Sequence, residues 1–205
     1  MTDNIATIVR ERVNDKDAGK IFTTRDFEDV HNDKIVIKTL SRMSLEGRIH
    51  RLARGLYVKP KMTKFGMLTP SLDDIANAIA KKEKVHIIPT GDTALNILGL
   101  STQVPMKAFY LTDGSGRKYK IGNRAIVFKS VVPQYFQFNS RLMPLINVAL
   151  KQLGEHNITD DIVKKIKDIV EKSEPKEKTL MLEDISLSPR WIKERMYTLL
   201  KDSEK

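Results

Sequence analysis

The segment that most constrains this chain is NDKIVIKTLSRMSLEGRIHRLARGLYVKP, residues 32–60. Its first part has helical spacing. Lys34, Lys38 and Arg42 recur at i, i+4 and i+8 and share one face, while Val36, Leu40 and Met43 occupy the opposite face and can seat the helix on a core. The spacing predicts a helix over residues 34–46, capped by Asn32 or Asp33 and stopped at Gly47. Extended, β-prone runs follow at residues 49–52 and 56–58, on either side of Ala53-Arg54-Gly55, which predicts a two-stranded hairpin. Lys34, Lys38, Arg42, Arg48, Arg51, Arg54 and Lys59 face only Asp33 and Glu46 as acids in this stretch. A cationic helix beside a cationic hairpin suits a nucleic acid: the helix fits a major groove, and the hairpin rests on phosphate or minor groove.

The upstream residues complete that unit. Ile5, Ile8, Val9 and Val13 form a helix-period stripe that Gly19 breaks. Ile21-Phe22 reads as a short extended piece, and Thr23 or Thr24 caps a second helix reaching Val30, with Phe27 and Val30 inward. His31-Asn32-Asp33 is the turn. The order helix, strand, helix, turn, helix, hairpin is that of a winged helix-turn-helix. The candidate DNA-binding residues are Lys34, Lys38, Thr39, Ser41, Arg42, Arg48, Arg51 and Arg54, with Thr39 and Ser41 nearest to base-edge reach. The bland alternative is a three-helix bundle with a solvated basic face.

The net charge of +10 over 205 residues favours a polyanionic partner. With no cysteine, disulfides and thiolate metal sites are excluded. No apolar run is long enough to span a bilayer, and the N-terminus lacks a signal core, so a cytoplasmic protein is expected. His31, His50, His86 and His156 show no metal-ligand spacing, and His86 in VHII reads as a strand histidine with a satisfied hydrogen bond. TDGSGRK, residues 112–118, lacks the Walker spacing and leads into a strand-like run, so it reads as a hairpin turn with a basic edge of Arg117, Lys118 and Lys120. Asp73-Asp74 and Glu183-Asp184 sit near helix starts, where capping accounts for them. No catalytic residue, metal site or cofactor is expected.

The expected fold class is α+β: an N-terminal winged helix-turn-helix over residues 1–62, then an α+β domain over 63–205. Residues 60–66 read as a connector. A helix opens at Pro70-Ser71, and residues 85–88 form a strand. A helix from Thr93 stops at Gly99. Strands at 108–112, 117–121 and 125–131, divided by residues 113–116 and Gly122-Asn123, give a small antiparallel sheet core over about 70–135. A helical tail over about 139–205 follows, with helices at 142–153, at 158–170 (the clearest amphipathic pattern, capped by Thr159) and from Ser188-Pro189 onward. Residues 173–178 read as a charged link.

Two segments together carry a resemblance. The LARGLYVKP that closes the winged unit, followed by IIPTGDTALNILGLSTQVP and YLTDGSGRKYKIGNRAIVFK, resembles the AbiEi-type antitoxins of bacterial type IV toxin–antitoxin systems. The likeness covers residues 5–132 and is most specific at Leu98–Pro105 and Tyr110–Gly114. It implies a winged helix that binds repeats in its own promoter and represses the operon, and a second part that neutralises a nucleotidyltransferase-like toxin. In that family neutralisation is thought to proceed without a stable toxin–antitoxin complex. The resemblance points to Ser101, Thr102, Gln103, Asp113, Arg117 and Lys118 as an antitoxin surface. Read from the residues alone, LGLSTQVP is equally a helix end, a capped turn and a proline-limited strand entry. A winged-helix regulator whose second domain senses a ligand or dimerises is the alternative, and a DNA-tethered nuclease is a third reading.

Overall fold

A computed structural model describes residues 2–202; the outer bounds expected for the two domains, Met1 and Lys205, lie outside them. The chain is mixed α and β with small antiparallel sheets. It divides into two compact units, Met1–Val85 with Tyr119–Ile126, and His86–Lys118 with Val127–Lys205. No helix among the described residues is long and apolar enough to cross a membrane.

In the first unit, α1 (Thr2–Asn14) presents Val9 and Val13 to a core completed by Phe22, Phe27, Val36, Leu40, Met43, Ile49 and Tyr57. Ile5 and Ile8 are half-buried at its margin. The extended piece is β1 (Ile21–Thr23), which pairs antiparallel with β3 (Leu56–Val58); β3 pairs in turn with β2 (His50–Ala53), in the order β1-β3-β2. Phe22 lies at the centre of this core, stacked on Tyr57 and edge-on to Phe27.

The second expected helix is a 3-10 segment, Thr24–Val30. Thr23 caps it in a reciprocal box with Asp26, but Phe27 departs from helical geometry (φ −125°, ψ 17°). Burying that ring beside Phe22 wins over regular α geometry, and His31 ends the segment in the left-handed region. Then α2 (Asp33–Leu45) begins at Asn32, whose Oδ1 accepts from the Ile35 amide at 3.2 Å.

Residues 60–66 are more than a connector. Met62–Thr63 (β4) and Gly66–Met67 (β5) form a two-stranded hairpin, its turn tied by Thr63 Oγ1, which accepts from Phe65 N and donates to Gly66 O. Ser71 and Asp74 form a capping box at the start of α3 (Leu72–Glu83). The division expected after residue 62 does not coincide with the compact units. Helix α3 packs against β1 through its apolar face, Ile75, Ala76 and Ile79, and belongs to the first unit.

In the second unit β6 (Ile87–Thr90) pairs antiparallel with β7 (Lys107–Thr112). The four-stranded sheet runs β6-β7-β9-β8, with β8 Arg117–Ile121 and β9 Arg124–Ser130; Tyr119–Ile126 of these last two strands is counted with the first unit. β7 therefore borders β9 rather than β8. Residues 113–116 are not the hairpin turn that the sequence suggested; Gly122-Asn123 does join neighbouring strands. The 113–116 loop passes the end of β9, where a Cβ on Gly116 would stand 3.4 Å from the Phe128 carbonyl oxygen.

The helical part of this unit forms one core around Met143, Ile146, Leu150, Ile166, Val170, Met181, Ile192 and Met196. It is built from α5 (Leu142–Leu153), α6 (Asp160–Glu171), α7 (Pro175–Asp184) and α8 (Arg190–Asp202). Thr159 precedes α6 but makes no side-chain cap bond. The segment read as a charged link is largely α7, with Pro175 in its first turn, where a missing N–H costs nothing. Two of its acids close the open start of α5. Glu177 Oε1 accepts from the Arg141 and Leu142 amides at 2.8 and 2.9 Å and from the Ser140 hydroxyl, and Asp184 accepts from the Ser140 amide at 2.6 Å. These are the amide donors that a helix N-terminus leaves orphaned.

Candidate nucleic-acid interface

The solvent face of α2 carries Lys34, Ile37, Lys38, Ser41, Arg42 and Leu45, which together line a shallow surface depression. Their spacing of i, i+3, i+4, i+7, i+8 and i+11 keeps them on one side of the helix. Among the described residues, Lys34, Lys38 and Arg42 have no acidic partner. Three cations held side by side without counter-ions make a local positive field that a polyanion can neutralise.

Thr39 is not part of this face. It is only 5% exposed. It stands three residues after Val36 and four before Met43, so helical geometry turns it into the core despite its hydroxyl. Ser41 is exposed, as expected.

The β2–β3 hairpin holds Arg51 and Arg54 in solvent, with a register irregularity between Arg51 and Ala53. Gly55 turns the chain at φ 69°, a conformation that glycine adopts without strain. Arg51 Nε makes a long contact to the Ala53 carbonyl at 3.4 Å, and Arg54 has no side-chain partner among the described residues. Two other cations of the segment are occupied within the fold. Arg48 reaches Asn14 Oδ1 at 3.0 Å and lies 4.0 Å from a Glu46 carboxylate oxygen. Lys59 donates to the backbone carbonyls of Asn14 and Lys16. A cation not singled out from the sequence joins the hairpin instead: Lys82 of α3 donates to the Arg54 carbonyl at 3.0 Å. Only tertiary packing brings it there.

Ile37 and Leu45 were also not singled out. Completing the helical stripe from Lys34 at i+3, i+4, i+7, i+8 and i+11 would have found them, Leu45 within the arc of the three cations and Ile37 at its edge beside Lys34.

The residues of the other candidate surface fall into two groups in the second unit. Helix α4 (Asp92–Ile97) ends in a Schellman motif, in which Gly99 N donates to Asn96 O and Leu100 N to Leu95 O, with Gly99 at φ 66°. The following turn is held by Asn96, whose amide donates to the carbonyls of Gln103 at 3.0 Å and Ser101 at 3.4 Å. Ser101 Oγ accepts from Gln103 N. Thr102 and Gln103 thus lie exposed on a braced turn, and Asn96 is the bracing residue that the sequence reading missed.

Asp113, Arg117 and Lys118 form the second group. Asp113 accepts from His86 N at 2.8 Å and lies 2.7 Å from His86 Nδ1. Burial is the largest single influence on the Asp113 carboxyl and raises it, but the hydrogen bonds from His86 side chain and backbone together outweigh that and hold it below the usual value. Asp113 is thereby committed to tying the 113–116 loop to the start of β6. His86 stands just before the strand rather than in it, with its hydrogen bond satisfied as expected. Arg117 and Lys118 are exposed at the start of β8.

A model described as a family of unknown function, DUF6088, matches residues 8–178. The chain belongs to that family. No curated protein matches this member of DUF6088. Among solved structures, the RV2827C protein from Mycobacterium tuberculosis is similar at a TM-score of 0.47 and 12% identity, over 98% of this chain and 77% of that one. That likeness is too slight to carry a conclusion.

Proposed function

We propose that the first unit contains a winged helix-turn-helix that binds double-stranded DNA, and that the chain is the antitoxin and autorepressor of a toxin–antitoxin operon. The observation that carries the DNA half is the exposed face of α2, where Lys34, Lys38 and Arg42 stand together without acidic partners among the described residues. The order α1, β1, 3-10 segment, α2, β2, β3 supports it, with α2 as the helix that enters the major groove and Arg51 and Arg54 as wing residues on phosphate or minor groove. A promoter-bound protein of this kind acts in the cytoplasm.

The antitoxin half rests on the resemblance of residues 98–105 and 110–114 to AbiEi-type antitoxins. Its exposed side chains are Thr102, Gln103, Arg117 and Lys118, and its partner is a nucleotidyltransferase-like toxin. We assign no cofactor and no catalytic residue. A ligand-sensing regulator is the second reading, and one feature speaks to it: a cavity of about 230 Å³ lined by Leu150, Ile158, Val163, Ile166, Met196 and Leu199 together with the polar Arg195 and Thr198. That volume falls below the range of about 300–1,000 Å³ usual for small-molecule pockets, so the antitoxin reading is preferred.

The test has two arms. The full chain should bind duplex DNA from its own promoter, and the Lys34→Ala/Lys38→Ala/Arg42→Ala variant should lose that binding while melting at an unchanged temperature. Co-expression with the product of the adjacent gene should rescue growth from that product. Equal promoter binding by the folded triple variant would remove α2 from the interface. Failure to rescue growth would remove the antitoxin assignment.

A further inference from the structure

Ile37 and Leu45 are 51% and 88% exposed on a helix whose Val36, Leu40 and Met43 are buried and whose Ile35 is half-buried. Single exposed apolar side chains are ordinary on protein surfaces. Leu45 lies inside the arc of Lys34, Lys38 and Arg42, and Ile37 flanks it beside Lys34; both line the same depression as the cations, where a merely solvated basic face gains nothing from them. The surrounding cations select a polyanionic occupant. In a major groove the apolar feature presented by the base edges is the C5-methyl group of thymine. Phosphate contacts position a protein and carry no sequence information, so those cations of this face that sit on phosphate do not choose a site.

Resting on the DNA-binding reading above, we propose that Ile37 and Leu45 determine sequence specificity by packing on thymine methyl groups, with Lys34, Lys38 and Arg42 holding α2 in the groove. The two residues are eight positions apart on α2, about 12 Å along the helix axis. With a rise of about 3.4 Å per base step, the two thymines are expected about three to four base pairs apart.

The experiment uses the full chain and a pool of random-sequence duplexes. Selection yields a preferred sequence, and each thymine in it is then replaced singly by uracil, which removes only the methyl group. Replacement should weaken binding about fourfold at one thymine read by Ile37 and at another read by Leu45, the effect expected for one buried methyl. Ile37→Ala should lose sensitivity at the first position alone, and Leu45→Ala at the second alone. Selective, salt-dependent binding that tolerates uracil everywhere would overturn the proposal while leaving the DNA-binding reading standing. So would uracil sensitivity that survives in both variants. A dimer that dissociates on Ile37→Ala or Leu45→Ala, with uracil sensitivity intact, would assign the pair to a second copy of the chain instead. If no duplex is selected, the DNA-binding reading falls and this proposal falls with it.

Discussion

The salt dependence expected of the proposed DNA binding can be worked from which cations the fold leaves free. Residues 33–59 carry seven lysines and arginines, and a count from composition would give seven phosphate contacts. The structure removes two of them. Lys59 is turned onto backbone carbonyls, and Arg48 is shared between Asn14 and Glu46. Lys34, Lys38, Arg42, Arg51 and Arg54 remain. Five neutralised phosphates give a slope of log K against log salt of about −4.5, whereas seven would give about −6.3. Between about 50 and about 200 mM salt, affinity should then fall about 500-fold. Fluorescence anisotropy of a labelled promoter duplex across that range measures the slope. Arg51→Ala/Arg54→Ala should reduce its magnitude by about 1.8, and Lys34→Ala by about 0.9. Arg48→Ala should leave it in place. A wild-type slope near −6, or a slope that ignores the loss of Arg51 and Arg54, would refute the assignment of free and occupied cations.

Other perturbations probe the second unit. Asp184→Ala leaves the buried Ser140 amide without its acceptor and should cost about 1–3 kcal/mol in urea unfolding, and Glu177→Ala should cost about 0.5–2 kcal/mol through the lost α5 cap. Asn96→Ala frees the carbonyls of Ser101 and Gln103 and should raise amide exchange across residues 101–105; if that turn is the neutralising surface, growth rescue falls too. Asp113 has a folded-state pKa below its usual 3.8, so its contribution to stability is complete above that value and is lost as pH falls through the lower, folded one. Asp113→Asn should therefore be less stable than the parent near neutrality, with the difference shrinking below about pH 4 in acid melts.

The parts of the fold written in local periodicity were legible. The stripe Val36, Leu40, Met43 placed the buried face of α2, Asn32 placed its start, and Ala53-Arg54-Gly55 placed the hairpin. Thr39 was misplaced because residue polarity was weighed above helical angle, and Ile37 and Leu45 were passed over for the converse reason. A helical wheel decides all three, since position on a helix is set by geometry whatever the side chain.

The remaining differences need long-range contacts that no local pattern encodes. Residues 113–116 have the composition of a tight turn, yet strand order follows from which edges pair, and β7 pairs with β6 and β9. The acids and lysines of residues 173–178 read as solvated linker. Glu177 and Asp184 are instead acceptors at the α5 start, where they join the local cap that Ser140 Oγ makes to the Leu142 and Met143 amides. The same holds for the cations. Lys59 and Arg48 look equal to Arg51 in a charge count, but partners thirty or more residues away in sequence, Asn14 and Lys16, occupy them, with Glu46 also near Arg48. Sequence thus identified the basic segment, but which of its charges are left for a partner is a tertiary property, and it is these unpaired charges that the salt slope counts.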